Sequence, residues 1–102
     1  TFIAGTVTVN TAFGNDDADL SVGVNFSDTA PAQDRTLTLP ASPEVGNSVK
    51  VKANADMSGG AYIIQRAGSQ TIDGETSIKL ESPHAAVELI YVDDTAKLWK
   101  VF

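Results

Sequence analysis

Chemistry in this chain would have to come from oxygen-bearing side chains, because it has no cysteine and a single histidine. The run Asn15-Asp16-Asp17-Ala18-Asp19 sets oxygen ligands at positions 15, 17 and 19, an alternation that suits Ca²⁺. Position 20 is Leu rather than Gly, and no Glu follows at the EF-hand distance. A solvated acidic loop accounts for the same residues. Asp73, Glu75, Glu81 and the pair Asp93-Asp94 offer carboxylates of the kind glycoside hydrolysis uses. All of them fall at expected turns, where Asp serves backbone geometry without catalysis. His84 follows Ser82-Pro83 in a turn. A Ser-His-Asp device needs a base held by an oriented partner, and a short loop supplies no such support. His84 is therefore read as a surface or inter-subunit residue. The chain is expected to be non-enzymatic, with no cofactor and no metal.

The aromatic residues Tyr62, Tyr91 and Trp99 have the faces to stack on a sugar ring. An aromatic on a closing hairpin more commonly anchors a core or an interface. Lys50, Lys52, Lys97 and Lys100 fall on the solvent side of alternating segments, where lysine guards strand edges.

The elements that must carry these residues are short. The 102 residues suffice for one domain, or one domain with an arm. Hydrophobic residues at 42% and charged residues at 20% favour a globular chain over a disordered one. A chain of this size buries only about 60–65% of its unfolded surface, so small β-folds commonly need a staple. Without cysteine, the remaining staple is association with other copies. A net charge of −6, with seven scattered basic residues, argues against nucleic acid as a partner and disfavours an anionic membrane. The opening TFIAGTVTV lacks a basic region and a long apolar run, so neither a leader nor a spanning helix is expected there. Thr1 is expected to be exposed by loss of an initiator Met.

Apolar residues recur at every second position, and Gly, Pro, Asn and Asp interrupt them, a pattern of half-buried strands. Residues 1–9 read as a strand, 10–19 as a loop, and Leu20, Val22, Val24 and Phe26 as one face of a second strand. Ser27 to Asp34 reads as a linker. The boundary placed there gives an arm and linker over 1–34 and a β-core module over 35–102. In the module, strands are expected at 36–39, 49–52, 62–64, 70–72, 76–80, 87–92 and 97–102. Gly46 is expected at positive φ, Asn54 to Gly60 as a mobile loop, and Asp73-Gly74 as a tight turn. The expected core is Leu37, Leu39, Val49, Val51, Ile63, Ile72, Ile78, Leu80, Leu89, Tyr91, Trp99 and Val101. The fold class is all-β: a compact β-sandwich or barrel-like module of about eight or nine short strands, with a β-prone N-terminal arm.

Several pieces occur in a telling order: TLTLP, P-E-V-G, V-K-V, then Q-T-I-D-G, then V-E-L-I-Y, an acidic turn and a last strand with Trp99. This order resembles the small β-module of tailed-bacteriophage virion proteins, found in tail fibres, head fibres and decoration proteins. The resemblance covers residues 35–102, with Ala96-Lys97-Leu98 standing where such modules more often carry Gly, Asn or Thr. It implies a virion structural protein, with a trimeric capsid decoration (cement) protein as the leading expectation. The implied partners are the major capsid protein and two further copies of the chain. The implied location is the outer capsid surface, after synthesis in the host bacterial cytoplasm. Phe2, Ile3, Val7 and Val9 would make capsid or inter-subunit contact, since a β-prone arm can add a strand to a sheet edge. Trp99 and Phe102 would form the trimer core. The alternative is a receptor- or glycan-binding module of a tail or head fibre, with Tyr62 in an exposed aromatic patch.

Overall fold

The computed structural model describes residues 13–102. The arm residues Phe2, Ile3, Val7 and Val9 lie outside the described residues. The described chain is rich in strands and contains no helix. Its strands are β1 Ala18–Asp19, β2 Gly23–Phe26, β3 Arg35–Thr38, β4 Ser48–Lys52, β5 Tyr62–Gln65, β6 Thr71–Ile72, β7 Ser77–Leu80, β8 Ala86–Asp93 and β9 Leu98–Val101.

These strands form two mixed sheets, one of order β1-β3-β5-β7 and one of order β2-β4-β8-β9-β6. The chain switches sheet at every step from β1 to β8. Alternate strands therefore become neighbours. β1, β3 and β5 run parallel, with Ala18 opposite Leu37 and Leu37 opposite Ile64. β2 runs parallel to β4, from Gly23 opposite Val49 to Phe26 opposite Lys52. Parallel neighbours need a crossover, usually a helix. Here the crossover is a strand of the opposite sheet. Antiparallel pairs of β7 with β5 and of β8 with β4 and β9, with β6 parallel to β9, complete the sheets.

The tight turn expected at Asp73-Gly74 is present. Both residues have positive φ (49° and 87°), as a two-residue hairpin turn requires. Ile72 and Glu75 exchange both backbone hydrogen bonds at 2.8 Å. The flanking strands then part, β6 to one sheet and β7 to the other. Gly46 also has positive φ, 94°. The closing hairpin of β8 and β9 forms as expected, with a register shift between Tyr91 and Asp93.

Inward side chains of both sheets share one core. Leu37, Tyr62, Ile64 and Leu80 come from one sheet, and Val49, Val51, Ile72, Leu89, Tyr91 and Trp99 from the other. Two features depart from the expected core. Ile63 was placed in the core; Tyr62 and Ile64 are buried instead, and Ile63 faces outward beside Thr36 and Lys79. Tyr-Ile-Ile is apolar on both faces, so alternation does not choose between them. Met57, in the loop 54–60 and absent from the expected core, is buried. A Cβ on Gly59 would lie 2.2 Å from the Pro31 carbonyl oxygen, and one on Gly60 would lie 2.2 Å from the Gln33 carbonyl carbon. The glycine pair lets two backbone segments meet, which side chains would prevent. Ala61 N–H then donates to Asp34 Oδ1 at 2.8 Å, and Arg35 N–H to the Ala61 carbonyl at 2.9 Å.

Residues of the segment before Arg35 also reach the core. Phe13 and Leu20 are buried in the common core, and β1 and β2 are members of the two sheets. The Phe13 and Tyr62 rings meet edge to face, centroids 4.8 Å apart. The Tyr62 hydroxyl lies 2.7 Å from Ser27 Oγ and within hydrogen-bond reach of the Gly14 and Thr29 carbonyls. Residues 13–34 are thus built into the same packing as residues 35–102.

Candidate interaction surfaces

The most distinctive surface arises at β2. Alternation puts Val22, Val24 and Phe26 on one face, the natural choice for burial. The structure turns β2 the other way. Asn25 is the buried residue, 2% exposed, while Val24 and Phe26 lie on the outer face beside Lys50 and Lys52. Hydrogen bonds of the Asn25 amide, both local and to β4, accompany this choice. Asn25 Nδ2 donates to the carbonyls of Ser21 (2.9 Å), Gly23 (3.3 Å) and Lys50 (3.1 Å), and its Oδ1 accepts from Ser21 N–H at 3.1 Å. Gly23, at φ 113°, gives the bend that feeds the strand in this register. A buried amide with its bonding capacity filled carries little penalty, so two apolar residues are left facing out.

They join a shallow apolar groove of about 560 Å³ on the outside of the five-stranded sheet. Val24, Phe26, Ala86 and Phe102 line it together with Lys50, Lys52 and Glu88, and the two lysines on β4 stand between the β2 residues and those of β8. Phe102 is 68% exposed. Ser48 Oγ donates to Glu88, and Lys52 Nζ donates to the His84 carbonyl at 2.7 Å. The segment 1–12 joins the fold next to this groove. Phe13 pairs in parallel with Ser27, directly after β2. Phe13 N–H donates to the Phe26 carbonyl at 3.0 Å, and Asp28 N–H to the Phe13 carbonyl at 2.9 Å. Ser27 N–H points the opposite way, to the Lys52 carbonyl. Phe13 therefore lies along the margin of β2 remote from β4.

A second concavity of about 370 Å³ opens where the loops after β3, β5 and β8 converge. Ala41, Ser42, Pro43, Gly68, Ser69, Tyr91, Asp94 and Lys97 are among its lining residues. The Tyr91 hydroxyl donates to Asp94 Oδ1 at 3.0 Å, and the Lys97 ammonium lies 3.8 Å from the same oxygen. Enclosure of Tyr91, then its bond to Asp94 and the Asp94 and Asp93 charges, raises its pKa above the ordinary tyrosine value. Lys97 has φ 55°, the left-handed region.

The residues first considered for chemistry have structural work in the fold. Asn15 Oδ1 accepts from Ala32 N–H and from Arg35 Nε and Nη2, all within 3.0 Å. Asp17 Oδ1 accepts from Thr36 N–H at 2.8 Å. These oxygens hold β3 to the preceding loop rather than converging on one point, and no group of three or more metal-binding side chains is found among the described residues. Asp93 Oδ1 accepts from the N–H groups of Thr95 and Ala96, the turn role expected of it. His84 is exposed at φ 59°, its carbonyl held by Lys52. Tyr62, expected in an exposed aromatic patch, is fully enclosed. Trp99, expected in a trimer core, is fully buried within its own chain. Phe102, the other member of that pair, is exposed. The sequence reading missed the groove because Val24 and Phe26 look like core residues; the buried Asn25 between them was the available signal.

No known protein family matches the chain, and no curated protein matches it.

Proposed function

We propose that this chain is a non-catalytic structural subunit of a tailed-phage particle: a trimeric decoration protein that sits on the outer capsid and stabilises the head. The two sheets over a shared core are read as the layers of a small β-sandwich. The observation that carries the proposal is the outward apolar face of β2 with Phe102, lying where the segment 1–12 joins the fold. Exposed apolar side chains gathered in one groove mark interaction sites. Its proposed occupant is a second copy of the chain. Lys50, Lys52 and Glu88 lie within the groove and give it both signs of charge, so neighbouring copies can pair opposite charges across the contact. Phe2, Ile3, Val7 and Val9 are left for the major capsid protein. Three arms on one trimer pool weak contacts into avidity. A subunit that binds only the assembled lattice stabilises it by mass action.

The test uses the full chain, a chain lacking residues 1–12, and Phe102→Asp. Light scattering reports mass in solution, and cosedimentation with expanded empty heads of the encoding phage reports occupancy. The proposal expects a trimer for the full chain, dissociation for Phe102→Asp, and lost occupancy for the shortened chain. A full chain that stays monomeric and leaves heads bare overturns it. The alternative of a receptor-binding module does not gain from Tyr62, whose ring is inside the core.

A further inference from the structure

The concavity between the loops after β3, β5 and β8 is independent of the apolar groove, and its chemistry differs. Its one carboxylate, Asp94, is exposed and is held through one oxygen. Asp94 Oδ1 takes both the Tyr91 hydroxyl and the Lys97 ammonium, whereas Oδ2 has no hydrogen-bond donor among the described residues. A carboxylate fixed through one oxygen presents the other to a ligand at little further entropic cost. Two hydroxyls, Ser42 and Ser69, line the same space and have no hydrogen-bond partner among the described residues.

A second observation comes from the backbone. Lys97 adopts φ 55° at the end of the β8–β9 turn, a position where hairpins of this type favour glycine. A non-glycine residue there is strained, and such strain gathers at functional sites. The strained residue is the one that puts an ammonium group beside Asp94. Nothing in the fold needs a lysine there: its carbonyl, not its side chain, receives Thr71 N–H.

We infer that this cleft binds a neutral, hydroxyl-rich ligand, a sugar ring. Asp94 Oδ2 accepts from ring hydroxyls, Lys97 and the two serines bond to neighbouring hydroxyls, and Ala41 and Pro43 offer apolar surface to the C–H face of the ring. The volume lies at the small end of ligand sites, which range over roughly 300–1,000 Å³. A chain of net charge −6 favours neutral over acidic sugars.

The experiment titrates the full-length chain with methyl glycosides of neutral hexoses and N-acetylhexosamines at millimolar concentration, following backbone amide resonances. Glucuronic acid and N-acetylneuraminic acid form the acidic arm. Saturable shifts confined to residues 41–43, 67–70 and 93–97 are expected with at least one neutral glycoside. Lys97→Gly separates binding from folding. It relieves the backbone strain, so its thermal midpoint should hold or rise, while affinity falls at least about tenfold. Asp94→Ala should lose binding with its amide spectrum otherwise preserved. The inference is overturned if no neutral glycoside gives saturable shifts, if an acidic sugar binds more tightly, or if Lys97→Gly and Asp94→Ala bind as the parent does.

Discussion

The indole N–H of Trp99 donates to Gln70 Oε1 at 2.9 Å inside the core. Gln70 is 3% exposed, and its amide nitrogen donates to the Pro40 carbonyl at 2.9 Å. One buried side chain thus ties three places together: the end of the TLTLP strand, the start of Q-T-I-D-G and the closing hairpin. The Tyr91 ring stands 5.2 Å from that of Trp99 and completes the cluster.

Replacing Gln70 strands a buried donor. Gln70→Ala should destabilise the fold by about 1–3 kcal/mol, the cost of leaving Trp99 Nε1–H unpaired. Gln70→Leu combined with Trp99→Phe removes both partners and should cost less than the sum of the single changes. Urea denaturation of the four proteins gives the coupling, expected at about 0.5–3 kcal/mol. Strict additivity would show that the bond is energetically idle.

Tyr62 predicts an alkaline limit to stability. Burial, as the largest influence, raises its pKa above the ordinary 10.0, with Ser27 and Arg35 opposing and Asp28 assisting. The folded state therefore holds this proton more tightly than the unfolded chain. Its contribution is fully present below about pH 10, and it is lost as pH rises through the folded-state value. Tyr91 is shifted in the same direction. Stability measured from neutral pH to above pH 10 should fall at the alkaline end, and Tyr62→Phe should flatten part of that fall. The same substitution should lower stability at neutral pH, because Ser27 and the Gly14 and Thr29 carbonyls lose their shared partner. An unchanged alkaline profile in Tyr62→Phe would count against this assignment.

The glycine pair should be intolerant of even one carbon. Gly60→Ala brings a Cβ within 2.4 Å of the Gln33 carbonyl oxygen as well as its carbon, so backbone must move. A loss of about 1–3 kcal/mol is expected, as for overpacking elsewhere. Gly46→Ala is the control. Open space surrounds that position, so its smaller cost reflects φ 94° alone. Thermal midpoints should rank parent, Gly46→Ala, Gly60→Ala in descending order.

The orientation of β2 is testable through Asn25. Asn25→Ala removes an amide that bonds Ser21, Gly23 and Lys50, and should cost about 1–3 kcal/mol. Phe26→Ser, on the outer face, should cost less stability and weaken self-association instead. If Phe26→Ser proves the more damaging to folding, the apolar face is a core face and the groove is no interface.

Alternation and turn chemistry in the sequence determined that the chain builds strands, where most of them lie, and that Leu37, Val49, Leu89, Tyr91 and Trp99 are internal. They also placed the Asp73-Gly74 turn and the final hairpin, because such features depend on residues close together in the chain. Strand pairing was decided elsewhere. That β3 lies between β1 and β5 depends on which apolar faces close over one core, and a two-residue period carries no record of its partner. The face of β2 was likewise a tertiary decision: the Lys50 carbonyl, 25 residues away, helps draw Asn25 inward and turns Val24 and Phe26 to the outside. Both candidate surfaces follow from such long-range choices. Asp94 and Lys97 are neighbours in sequence, but the cleft they line exists only because loops after β3 and β5 end beside them.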